Sequence, residues 1–147
     1  MEGPRSCWAA LEDKAQRRIN ELQAEIAQAG QLLQTLYASR TRLLTLYQEY
    51  RDQLQSRTEQ LGMQEAMNQR QFMSQLQTLH HRVEADIERT MAHQTALQDA
   101  LRDADTERLK MKTLRENAQT AHNKEMARLE QRAMDVLGVQ QYNRKAA

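Results

Sequence analysis

A chain of 147 residues could form one ordinary globular domain, but 28% charged side chains, 4% aromatic ones and a single proline do not supply the stock of a compact core. Twenty glutamines, with Ala, Leu, Glu, Arg, Lys and Met, give it the composition of long helices and coiled coils. The 21 basic and 20 acidic groups nearly cancel, so net charge points to neither nucleic acid nor a membrane surface, although residues 111–147 carry a mild +3.

Pro4 and Ser6 mark the expected start of a first helix, with the Ser6 hydroxyl placed to cap its free N–H groups. The stretch "MEGPRSCWAALEDK" has no apolar leader, and no run approaches the ~18 apolar residues of a membrane span. Cys7 is the only cysteine, which excludes an internal disulfide and fits a reducing compartment. A cytoplasmic protein without direct membrane insertion is expected.

With Ile19 as position a of a heptad, the a and d positions are Ala15, Ile19, Leu22, Ile26, Ala29, Leu33, Leu36, Arg40, Leu43, Tyr47, Tyr50, Leu54, Arg57 and Leu61. Twelve of the fourteen are apolar or tyrosine, the signature of a coiled-coil seam. Arg40 and Arg57 can lay their stems along it and extend their charges to water. Helix 1 is therefore expected over about 6–61. "TRLLTLYQEYR" (41–51) also places Leu44 at e and Leu46 at g, more apolar surface than one partner helix covers.

The repeat stops at Gly62, where a helix C-cap is expected. A turn over about 62–67 follows, and "SRTE" (56–59) has capping-box spacing that would move the break earlier. Helix 2 is expected over about 68–138, ending at Gly138, with a flexible tail over 139–147. Phe72, Leu76, Leu79 and Val83 form its first apolar line, and Ile87 breaks that phase, which reads as a stutter. Leu97, Leu101, Ala104, Met111, Leu114, Ala118 and Ala121 continue loosely, and Met126, Leu129, Ala133 and Val136 form a last register.

An apolar stripe this long must be covered, either by a second chain in a parallel dimer or by folding back near Gly62. The loss of register favours folding back: one all-α, coiled-coil domain of two long antiparallel helices, with residue i facing residue ~125 − i. Roughly the last twenty residues of helix 2 then overhang the N-terminus. Surplus apolar residues gather beside the turn, where they either bury one another or form a docking face.

Sites for chemistry are poor. Adjacent His80 and His81 point about 100° apart on a helix and share no metal face, with His93 and His122 distant. "DADTE" (103–107) lacks the glycine of a calcium loop, no glycine-rich phosphate loop is present, and Cys7 has no neighbouring base. A helix pair has no walled pocket for catalysis. No enzyme activity, metal or cofactor is expected. The basic residues of "LRENAQTAHNKEMARLEQRAMD" (114–135) have no aromatic platform for RNA, which leaves a solvated face or a helix end that enters a polar collar on another protein.

"LYQEYRDQL" (46–54), the glycine-containing linker, "QRQFMSQLQTL" (69–79) and "EMARLEQRAMD" (125–135) together resemble the FliJ family of flagellar export proteins, coiled-coil stalks of type III secretion. The resemblance implies an antiparallel two-helix coiled coil similar to the γ-subunit stalk of rotary ATPases. It implies a stalk that promotes assembly and activity of the hexameric export ATPase and links it to the cytoplasmic domain of the export-gate membrane protein, peripheral to the inner membrane at the flagellar base. It also implies binding of export chaperones. The gate-binding positions it implies are Leu43, Tyr47, Tyr50, Phe72, Leu76, Leu79 and Val83, with Val83 standing where the family line can carry histidine. The ring-contacting residues it implies are Arg115, Lys124, Arg128 and Arg132. The equivalent stalk of an injectisome, and a structural coiled-coil dimer with no ATPase link, are the competing readings.

Overall fold

Fifty consecutive residues, most of them good helix formers, make α1 (Cys7–Ser56), and eighty-four make α2 (Met63–Ala146) in a computed structural model that describes residues 7–57 and 62–146. Ser6, Leu61 and, of the "SRTE" stretch, Thr58 and Glu59 lie outside the described residues, and Ser56, the last residue of α1, donates its hydroxyl to the Gln53 carbonyl at 3.1 Å. Among the described residues there is no strand, cis peptide or left-handed backbone.

The helix ends differ from the expected ones. α1 stops at Ser56 rather than 61, with the Arg57 N–H closing its last turn on the Gln53 carbonyl at 3.1 Å. Gly62 does not end α1 with a left-handed cap. Its carbonyl accepts the Ala66 N–H at 3.0 Å, the first bond of α2, so it is the N-cap of the second helix, a position glycine tolerates well. Residues 63–67, expected in the turn, form the first turns of α2, where Glu65 complements the positive end of the helix dipole. Nor does Gly138 stop α2. It has helical backbone, residues 139–146 continue the helix, and Arg144 and Lys145 complement its negative end.

The chain divides into two compact units, residues 1–20 with 102–147 and residues 21–101. In a helix pair each side chain meets only partners at its own level, so packing subdivides along the sequence. In the unit of residues 21–101, Tyr37 approaches Met91, Arg40 meets Glu84, Tyr47 meets Gln77 and Tyr50 meets Phe72. Partner numbers fall as α1 numbers rise, so the helices are antiparallel. In the other unit Glu12 meets Arg115 in the same sense.

On α1 every expected a and d position from Ala15 to Leu54 is buried or half-buried, with Leu22 the most enclosed side chain. The α2 seam departs from expectation. Its least exposed residues in the second unit recur at Met73, Leu76, His80, Val83, Ile87, Thr90, Gln94, Leu97 and Leu101, in alternating steps of three and four. No stutter occurs at Ile87. The line "Leu76, Leu79, Val83" follows apolar residues only and takes Leu79 where the seam runs through His80. Leu79 itself is 43% exposed.

Candidate functional site

The seven positions that the resemblance implies for gate binding fall into three settings. Leu76, only 4% exposed, is a core residue of the seam between Leu43 and Tyr47 of α1 and His80 of α2. Leu43, Tyr47, Tyr50 and Val83 are half-buried. Phe72 and Leu79, seven residues apart and so on one row of α2, are exposed. The Tyr50 and Phe72 rings meet at 4.7 Å with a 59° tilt, a favourable aromatic geometry that fixes the Phe72 ring in its exposed position.

Two clefts flank this seam. One, of about 300 Å³, is lined by Leu43, Leu44, Tyr47, Leu76, Gln77, His80 and His81. Some of its polar groups are engaged within the chain. Gln77 donates to the Tyr47 hydroxyl at 3.1 Å, while Glu84 lies 3.5 Å from His80 Nε2 and 3.6 Å from Arg40 Nη1. The His80 Nδ1 is buried without a hydrogen-bond partner. The other cleft, of about 270 Å³, is lined by Ser39, Arg42, Leu43, Leu46, Leu79 and Val83. Leu43 borders both.

The sequence line thus mixes residues of two faces and one core position. Leu44 and Leu46 were legible as surplus e and g positions. Arg42 had a quieter signal: no acid stands three or four residues to either side of it, so α1 supplies no ion-pair partner.

In the unit of residues 1–20 and 102–147, the four basic positions also divide. Arg115 is not a free surface cation. Its Nε donates to Glu12 Oε2 at 2.5 Å, with Glu12 one heptad before Ile19 on the seam row. Arg128 grips Glu125 through two hydrogen bonds of 2.7 and 3.2 Å, a pairing that, with the neighbouring positive charge, holds the Glu125 carboxyl below the usual carboxylate range and raises Arg128. Lys124, Arg128 and Arg132 follow at steps of four and form one exposed row. Every described residue from 127 to 146 is exposed, and Leu129, Met134, Val136, Leu137, Val139 and Tyr142 have no helix laid over them in this unit.

Among the described residues no group of three or more His, Cys, Asp or Glu side chains could hold a metal ion, and no helix is long and apolar enough to cross a membrane.

The family described as Flagellar FliJ protein matches residues 9–147, nearly the whole chain. Neither a curated relative nor a solved structure matches it.

Proposed function

Because the chain belongs to the FliJ family, coiled-coil proteins of the flagellar export apparatus, we propose that it acts as a non-enzymatic stalk and adaptor that promotes export-ATPase ring assembly and activity and links the ring to the export gate. The carrying observation is the uncovered end of α2. Residues 127–146 present apolar side chains beside the basic row Lys124, Arg128 and Arg132, a helix surface suited to a polar collar in the hexameric ATPase. Arg115 serves this end indirectly, by tying α2 to Glu12. The exposed residues beside the turn, Phe72 and Leu79 with half-buried Leu43, Tyr50 and Val83, dock the cytoplasmic domain of the gate membrane protein. Leu76 and Tyr47 support that surface from the seam. Export chaperones share these surfaces, and the protein works at the cytoplasmic face of the inner membrane at the flagellar base.

The test is the ATPase rate of the purified export ATPase at limiting concentration, where ring assembly restricts activity. The full chain raises the rate, and a chain ending at residue 126 does not. Equal stimulation by the shortened chain would overturn the assignment of the α2 end to the ring.

A further inference from the structure

The two clefts beside the turn differ in one respect that decides which of them receives a partner. On the Leu44 side the arginine is matched: Glu84 lies 3.6 Å from Arg40 and 3.5 Å from His80 Nε2, and Gln77 donates to Tyr47, while His80 Nδ1 is buried without a hydrogen-bond partner. On the Leu46 side the arginine is not matched. Among the described residues Arg42, exposed at the cleft rim, has no ion-pair partner. Asp86, on the α2 row that continues from Phe72 and Leu79, is already taken by Arg89. The Leu46 side therefore combines an open apolar cleft, two exposed apolar side chains on one row and an unmatched guanidinium beside them. An unmatched cation at the rim of an apolar patch selects a partner that brings a carboxylate.

We propose that the gate partner docks on one side of the seam only, with a bulky apolar side chain in the cleft formed by Leu46, Leu79 and Val83 and an adjacent carboxylate on Arg42. This rests on the gate-docking reading above and adds to it two specificity residues, Arg42 and Leu46. It also assigns Tyr50 the task of holding the Phe72 ring against that side, and it takes Tyr47 and Leu76 out of the contact. The cleft is too small for more than one or two side chains, so the bulk of the interface is the row of Phe72 and Leu79. Arg42 sets orientation and partner choice.

The experiment measures binding of the full-length chain to the purified cytoplasmic domain of the gate membrane protein by titration calorimetry, with helicity of each variant checked by circular dichroism. Phe72→Ala tests the parent reading. Leu46→Ala and Arg42→Glu each weaken binding about tenfold, Arg42→Lys keeps most of it, and Leu44→Ala and His81→Ala stay within about twofold of the original chain. Binding of the original chain weakens with added salt, and that dependence is smaller for Arg42→Gln. If Phe72→Ala abolishes binding while Leu46→Ala and Arg42→Glu leave it unchanged, the docking region stands and the one-sided assignment is overturned. Losses in Leu44→Ala or His81→Ala equal to those on the Leu46 side overturn it as well. Failure of the original chain to bind removes the parent reading, and this one with it.

Discussion

Replacing Leu76 and Leu79 one at a time by alanine separates the observed seam from the seam that apolar spacing suggests. Leu76 is 4% exposed and Leu79 43%. Leucine to alanine removes three carbons, and at about 0.8 kcal/mol per buried methylene the full loss is about 2.4 kcal/mol. Leu76→Ala incurs nearly all of that, plus part of a cavity term because helices on both sides cannot fully close the gap, for a total of about 2.5–3 kcal/mol. Leu79→Ala forfeits roughly half the transfer term and leaves no enclosed cavity, so it costs about 1 kcal/mol. Urea unfolding followed by ellipticity at 222 nm reads the difference. With a slope of roughly 1.5 kcal/mol per molar, the midpoint falls by almost 2 M for Leu76→Ala and by well under 1 M for Leu79→Ala. If Leu79→Ala proved as damaging as Leu76→Ala, the seam would run through Leu79 and not His80, and the division of this region into two clefts would collapse.

Gly30→Ala should stabilise the protein by about 0.8 kcal/mol, because a mid-helix glycine is replaced and the new Cβ would meet only the Gln94 side chain at an ordinary 3.7 Å; thermal unfolding checks the sign. A double-mutant cycle on Glu12→Ala and Arg115→Ala should give a coupling of about 1 kcal/mol, since Arg115 remains partly exposed, and the coupling should shrink in high salt. Ending the chain at residue 126 should leave the unfolding midpoint unchanged, because the removed residues are exposed throughout; a large drop would mean that they pack on something. An NMR titration of Glu125 should show its carboxyl titrating below the ordinary range and returning towards it in Arg128→Gln. The sign follows: a depressed carboxylate contributes above its unfolded-state pKa, and that contribution disappears as pH falls through the lowered value.

How much of this could be read from the chain differs between the helices. On α1 nearly every seam position is apolar or tyrosine, so spacing alone located the buried row from Ala15 to Leu54, and the loss of that spacing near Gly62 pointed to folding back. On α2 only one seam row stays largely apolar, through Leu76, Val83, Leu97, Ala104, Met111 and Ala118. The other carries His80, Gln94, Arg108, Arg115 and His122 at half-buried positions. A reading that follows apolar residues drifts to Leu79 and finds a stutter that does not exist. Several of these polar members are accommodated by specific neighbours, as Glu12 does for Arg115 and Glu84 for His80, and no local rule foretells such pairings. The proposed docking surface suffered the same one-residue drift. Phe72 and Leu79 were recognised as apolar, but that they share a face with Leu46 and Arg42, and that Leu76 does not, depends on the rotation of α2. Gly62 and Gly138 misled for a different reason: glycine permits a left-handed cap without requiring one.

Antiparallel folding back of a single chain is tested most directly by the separation between spin labels at positions 44 and 77, two residues that line the same cleft. The labels are placed in a Cys7→Ser background and the protein is diluted with an unlabelled excess. Neighbouring helix axes lie about 8–10 Å apart, so with label arms added the distance should fall within about 25 Å and persist on dilution. A distance near 50 Å, the separation of residues thirty-three apart along one continuous helix at ~1.5 Å each, would contradict the fold-back and with it both proposed docking surfaces.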